Sequence, residues 1–168
     1  VDAVVAKVTQ RGINARRIKV SCAFHSGLVA AAQVPFAEAL ADVRTETPRI
    51  PVYSNTTAKP HTVDSAAIRR QLVEHLVRPV RFADELLAMY AGGARVFIEV
   101  GPRTVLGGLA EKTLAGKPVT IVSTDQPGRN GLVHLCHTLA RLYSIAVPMR
   151  LAPLFAGRAE DTTEENLQ

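Results

Sequence analysis

The stretch RIKVSCAFHSGLVA, residues 17–30, places an imidazole directly after an apolar run that is typical of a β-strand. A histidine at a strand end can be a hydrogen-bonded core residue, a metal ligand or a general base. A neutral imidazole can take a proton from a hydroxyl and return it, as acyl transfer through a serine ester requires. Because ligands of open α/β sheets bind at the carboxyl ends of strands, His25 is a candidate catalytic base.

A general base needs a nucleophile, and no serine or cysteine of the chain has a convincing pattern for one. Ser26 is adjacent to His25, so its side chain projects elsewhere, and no G-x-S-x-G elbow occurs. Cys22 lies three residues before His25, and side chains at that spacing in a strand point to opposite faces. The residues alone therefore leave the three roles of His25 open.

Two further motifs carry weaker chemical signals. HLCH, residues 134–137, puts two imidazoles at i and i+3 of one helix, but no carboxylate or thiolate cluster completes a metal site. GPRTVLGG, residues 101–108, lacks the G-K-[ST] ending and the G-x-G-x-x-G spacing of phosphate loops. We therefore expect no metal, and we interpret Gly101 as a turn residue.

Helices and strands that alternate along the chain must position these residues. The predicted helices are residues 1–11, ended by Gly12, 29–44 with its regular part from about Pro35, 63–78 capped by Asp64 or Ser65, 82–91 before Gly92-Gly93, 102–116 with Pro102 first, and 130–147. The predicted strands are residues 16–24, 50–54, 95–100 and 118–125. This alternation predicts an α/β fold with largely parallel pairing, followed from Pro148 by a linker and from residue 159 by a disordered acidic tail.

The composition excludes several classes of protein. The chain has 168 residues, of which 47% are hydrophobic, and no tryptophan, which fits one globular domain with an aliphatic core. The net charge of +5 comes from scattered Lys and Arg without interleaved aromatic residues, so we expect no nucleic acid and at most a phosphorylated or acidic partner. No apolar run is long enough for a membrane span, and the first residues lack a signal-peptide pattern, so we expect a cytoplasmic protein. Cys22 and Cys136 lie far apart in the sequence, and we expect both to be reduced thiols.

Four stretches in order resemble the second half of an acyltransferase domain. They are CAFHS at 22–26, PVYSNTTA at 51–58, HLVRPVRFADELLAMYAGGARVFIEVGPRTVLGGL at 75–109 and PLFAGR at 153–158. The likeness is strongest to the malonyl-CoA:acyl-carrier-protein transferases embedded in iterative type I polyketide synthases and polyunsaturated fatty acid synthases. It extends over nearly all of the chain to Arg158.

This resemblance implies roles for five residues. His25 lies in the family's A-F-H-[ST] run and would be the catalytic base, oriented by the main-chain carbonyl of His75. Phe24 matches the family feature associated with malonyl rather than methylmalonyl units, and Ala23 and Cys22 complete the substrate-facing run. Cys22 stands where many malonyl-selective members carry histidine. Malonyl-CoA would be the substrate and the phosphopantetheine thiol of an acyl carrier protein the acceptor, with no bound cofactor.

The resemblance also implies a fold and a missing part. The family has an α/β-hydrolase-like core with an inserted ferredoxin-like subdomain. Residues 1–21 would end that insert, 22–126 would be the C-terminal part of the core, and 127–168 the helix and linker after it. The G-H-S-x-G serine, the arginine that pairs with the malonyl carboxylate and the oxyanion-hole glutamine belong to the first half, which this chain lacks. The chain alone would therefore be inactive, and its partners would be that N-terminal half, the carrier protein and neighbouring synthase domains.

Two alternatives remain beside the enzyme fragment. One is a non-catalytic docking or scaffold module of a synthase, since the chain carries no nucleophile of its own. The other, a malonyl transacylase of ordinary fatty acid synthesis, is disfavoured by PLFAGR, which resembles a linker of multidomain proteins.

Overall fold

The protein was analysed as a computed structural model, which describes residues 1–17 and 20–156. The chain divides into two compact units, Val1–Gly92 and Gly93–Gln168. Both units combine helices with short strands, so the fold is mixed α/β. Within the described ranges, every helix is too short or too polar to cross a membrane.

The first unit is mainly helical. Its elements are α1 (Asp2–Thr9), a 3-10 helix (Gly27–Ala32), α2 (Gln33–Ala41), β1 (Tyr53–Ser54), β2 (Lys59–Pro60), α3 (Ser65–His75) and α4 (Phe82–Ala91). The predicted cap of α3 is confirmed, because the Asp64 carboxylate accepts the amide protons of Ala66 and Ala67 at 3.0 and 3.1 Å. Pro35 lies in the first turn of α2, where its missing N–H removes no helical hydrogen bond.

The predicted strand at residues 50–54 shrinks to the two residues of β1, which pair antiparallel with β2. The cause is a tight turn: the Ser54 carbonyl accepts the amide protons of Thr57 and Ala58 at 3.1 and 2.7 Å. Ala58 takes a left-handed φ of 56° and is buried. The expectation of parallel pairing is therefore wrong for this unit.

The predicted strand at residues 16–24 is also wrong for its described part, since residues 16, 17 and 20–24 form no strand. Ile18 and Lys19 lie outside the described residues. A β-strand requires backbone hydrogen bonds to a neighbouring strand. Here the Ala23 carbonyl instead accepts a local hydrogen bond from the Ser26 hydroxyl at 2.7 Å. His25 thus lies in a turn before the 3-10 helix rather than at a strand end.

The second unit contains the predicted parallel pair. Its elements are β3 (Val96–Glu99), α5 (Val105–Thr113), β4 (Thr120–Ser123), α6 (Gly131–Ser144) and α7 (Ala152–Phe155). β3 and β4 are parallel, with Val96 opposite Thr120 and Glu99 opposite Ser123. Leu114, 1% exposed, is the centre of this unit's core, with three further buried apolar residues: Ala110, Val122 and Leu142. The short α7 lies in the segment predicted as an irregular linker, and the predicted tail lies outside the described residues.

The turn between β3 and α5 corrects the expectation that Pro102 opens the helix. Helix α5 begins at Val105, and the Glu99 carboxylate accepts the amide protons of Leu106 and Gly107 at 3.0 and 2.7 Å. The carboxylate satisfies two free N–H groups and favours the positive end of the helix dipole. Gly101, at φ 146°, makes the turn that brings the helix start back to this side chain.

Glu85 is a buried carboxyl group in α4, 6% exposed, and its Oε2 has no hydrogen-bond partner among the described residues. Burial raises the pKa of Glu85, so the folded state holds its proton more tightly than the unfolded state does. The resulting stabilisation is present at acidic pH and is lost as the pH rises through the folded-state pKa.

We therefore expect Glu85→Gln to be more stable than the wild type at neutral pH. The advantage should shrink below the ordinary pKa of glutamic acid. Urea unfolding at both pH values measures this difference, with Glu38→Gln, at an exposed position of α2, as the control. Equal stability of Glu85→Gln and the wild type at neutral pH would show that the carboxylate carries no burial cost.

Candidate active site

The loop that carries His25 is fixed by short-range and long-range hydrogen bonds. Ser26 caps the 3-10 helix, with its Oγ accepting the amide proton of Leu28 at 3.3 Å and donating to the Ala23 carbonyl. His25 has a left-handed φ of 61°, and its amide donates to the Leu76 carbonyl at 2.9 Å. A left-handed conformation is unfavourable for a non-glycine residue and persists only where surrounding contacts hold it. Here the hydrogen bond to the end of α3 holds it.

The ring of His25 is oriented by the main-chain carbonyl of His75, the residue before Leu76. Its Nδ1 lies 2.9 Å from the His75 carbonyl oxygen. A carbonyl only accepts, so Nδ1 of this half-buried ring carries a proton, and in the neutral form of the ring the lone pair lies on Nε2. This tautomer is the one that a general base acting through Nε2 requires.

Two carbonyls at the end of α3 contact His25. The carbonyls of His75 and Leu76 lie at the C-terminal end of this helix, the negative end of its dipole. Both accept hydrogen bonds from His25, one from its ring and one from its backbone.

The side chain of His75 forms a second contact with His25. The two imidazole rings are 4.7 Å apart between centroids and tilted by 55°. The Nδ1 of His75 is hydrogen-bonded to Thr56 Oγ1 at 3.0 Å. Burial, and secondarily the charge of His25, lower the pKa of His75, so this ring is held neutral.

The three residues before His25 lie on the surface of the loop. Cys22 is an exposed free thiol, Ala23 is exposed, and Phe24 keeps 57% of its surface accessible. The side chains of His75 and Thr56 make contacts at the candidate site that sequence reasoning missed.

The other sequence candidates lie in the second unit and do different work. His134 donates Nε2–H to the Ser123 carbonyl at 3.1 Å, and His137 is exposed. Within residues 1–17 and 20–156, no three His, Cys, Asp or Glu side chains are grouped for a metal ion. Gly101 is a turn residue, as the sequence predicted.

Comparison with known proteins identifies the family of this arrangement. The family model described as "Acyl transferase domain" matches residues 1–147. The chain belongs to the acyl transferase domain family. This acyl transferase chain is 32% identical over 158 residues, 94% of its length, to a phenolphthiocerol synthesis polyketide synthase type I of Mycobacterium marinum. It is 33% identical over 112 residues, 67% of its length, to a malonyl CoA-acyl carrier protein transacylase of Bacillus subtilis.

Solved structures agree with this family. The acyltransferase domain from the second module of the salinomycin polyketide synthase superposes with a TM-score of 0.81 at 26% identity, covering 99% of this chain. The acyl transferase chain spans 38% of that domain's chain, 28% of the Bacillus transacylase and 8% of the mycobacterial synthase. It therefore corresponds to a minor part of each relative.

Proposed function

We propose that the chain is the base-bearing part of an acyl transferase that moves a malonyl-type acyl group from coenzyme A to the phosphopantetheine thiol of an acyl carrier protein. The observation that carries this proposal is the His25 ring: the His75 carbonyl accepts its Nδ1 proton, so in the neutral ring the lone pair is on Nε2. The names of relatives supply the substrate class, since one is a malonyl CoA-acyl carrier protein transacylase and another a polyketide synthase.

The proposed chemistry has two matched halves. Nε2 of His25 takes the proton of a serine hydroxyl while that oxygen attacks the thioester carbonyl, and the imidazolium returns the proton to the departing coenzyme A thiolate. The same nitrogen then takes the proton of the phosphopantetheine thiol, whose sulfur attacks the serine ester, and returns it to the serine oxygen. The base is regenerated in each half, so no further reactant is needed.

The serine in this scheme comes from the part of the domain that precedes the chain. On this plan, residues 1–21 end an inserted ferredoxin-like subdomain, 22–126 belong to the core and 127–168 follow it. The chain alone is then inactive, and its partners are the N-terminal half, the carrier protein and adjacent synthase domains. The chain spans 38% of the solved domain's chain, which supports the proposal that this sequence is one part of such a domain.

The test is acyl transfer by the chain joined to its preceding coding region. Incubation with malonyl-CoA should add the mass of a malonyl group to one serine, and addition of holo acyl carrier protein should move that mass to the carrier. A complete domain that binds the carrier protein but never forms the ester would instead support a docking module.

Phe24 is proposed to limit the size of the extender unit. The family resemblance associates phenylalanine before the histidine with malonyl units, and a phenyl ring there would fill space next to the extender carbon. We expect Phe24→Ser in the complete domain to raise the relative kcat/KM for methylmalonyl-CoA by up to about 10–200-fold, the range for one methyl group. Competition between malonyl-CoA and methylmalonyl-CoA measures the ratio. The matched control is Phe155→Ser, which removes a comparably exposed phenyl ring, 62% accessible, from α7. An unchanged ratio in Phe24→Ser would remove this residue from substrate selection.

A further inference from the structure

The proposed chemistry uses the main-chain carbonyl of His75 and gives its side chain no task. The imidazole of His75 is nevertheless half-buried against the base, with 4.7 Å between ring centroids and a tilt of 55°. This separation lies in the range where aromatic rings pack favourably. The contact is made by the same residue whose carbonyl holds the Nδ1 proton of His25.

We propose that the His75 side chain is a positioning residue: its ring, anchored by Thr56, packs against His25 and fixes the rotation of the base. This inference rests on the proposed function of His25. One hydrogen bond to a carbonyl fixes the direction of the Nδ1–H bond but leaves the imidazole free to turn about it. A second ring against the imidazole restricts that turn, so Nε2 keeps one direction.

The anchor of the His75 ring is itself rigid. Thr56 Oγ1 lies 3.0 Å from Nδ1 of His75. The amide of Thr56 donates to Ser54 Oγ at 3.2 Å, and Ser54 is 5% exposed. The ring is therefore tied to the buried turn between β1 and β2, nineteen residues away along the chain.

The charge state of the pair suits this role. The pKa of His75 is lowered by burial and by repulsion from His25, which disfavours a positive charge on the His75 ring. The charged groups near Thr56 are Glu74, directly before His75 in sequence, Arg78, three residues after it, and Arg81. All three line a cleft of about 380 Å³ together with Thr56. Cys22 is the other titratable group of the His25 loop, and α2 contributes the neutral Gln33, which donates to the Val73 carbonyl.

Acylation kinetics in the complete domain test the positioning role. His75→Ala keeps the carbonyl and removes the ring, so kcat for acylation by malonyl-CoA should fall about 10- to 100-fold, as misplacement of a catalytic group does, with KM unchanged. His75→Phe restores a ring face and should recover part of the rate. Thr56→Val should lower kcat less, and should add nothing in the His75→Ala background because both act through one ring.

Wild-type kcat in His75→Ala, or effects of His75→Ala and Thr56→Val that multiply, would overturn the proposal while leaving the role of His25 intact. A wild-type domain that never acylates would instead remove the proposed function. In that case, the interaction between the His25 and His75 rings is tested in the same complete domain by NMR titration of the histidine ring carbons. His25→Gln should raise the apparent pKa of His75, whereas His137→Asn, at an exposed histidine, should leave it unchanged. A His75 pKa that ignores His25→Gln would also overturn the proposal.

Discussion

Replacement of His25 by alanine in the complete domain should slow formation of the acyl-serine ester by ~10²–10⁴-fold, the usual contribution of general acid–base catalysis. The variant loses the only lone pair that the proposed mechanism places at the serine. The carbonyl of His75 loses a donor, but it lies at a half-exposed helix end, where water can replace the imidazole. The melting temperature should therefore change little. Single-turnover acylation by malonyl-CoA, followed by intact mass, measures the rate.

Two further variants separate chemistry from folding in this test. His25→Asn keeps a side chain that tolerates the φ of 61° but cannot act as a base, so it should be as slow as the alanine variant. His137→Ala removes an exposed histidine of α6 and should acylate at the wild-type rate. Acylation at the wild-type rate by a His25→Ala protein that merely melts earlier would make this histidine a structural residue.

Replacement of Leu114 by alanine should destabilise the second unit by about 2–5 kcal/mol, the cost of deleting a fully buried leucine side chain. Leu114 is 1% exposed and is the largest side chain so completely covered among the described residues. It follows α5 and lies in the core that also contains Val122 of β4 and Leu142 of α6. Its loss leaves a cavity between elements that cannot collapse together without moving the β3 and β4 pair.

Urea unfolding monitored by circular dichroism measures this loss, and Leu132→Ala is the matched control. Leu132 lies in the first turn of α6 with 54% of its surface exposed, so its truncation should cost less than 1 kcal/mol. If both leucine variants lost similar stability, the core of the second unit would not be centred on Leu114.

The helices and the parallel strand pair were predictable because their signals are local. Apolar periodicity locates α3 and α6, Asp64 marks the start of α3, and Gly92-Gly93 follows the end of α4. The strand predicted at residues 16–24 failed because apolar composition does not supply a hydrogen-bonding partner. The helix start predicted at Pro102 was also wrong. The Glu99 carboxylate accepts the amide protons of Leu106 and Gly107, and α5 begins at Val105.

The resemblance predicted one contact of the candidate site, between His25 and the main-chain carbonyl of His75, but not the contacts of the His75 side chain. A histidine after an apolar run suggests a base, and only the resemblance to a family selects that role from three. The pairing of Thr56 with the His75 ring depends on a turn that folds against the end of α3. No periodicity or spacing encodes such a contact, because the residues belong to different elements.

The two carbonyls at the end of α3 make the geometry of His25 depend on the tertiary structure of the first unit. His25 receives its backbone conformation and its tautomer from residues about fifty positions later in the chain. Neither segment alone can orient the imidazole. The loop carries the His25 ring, and the end of α3 carries the two carbonyls that accept its hydrogen bonds. The orientation of the His25 ring is therefore a property of the contact between the loop and the helix rather than of either segment.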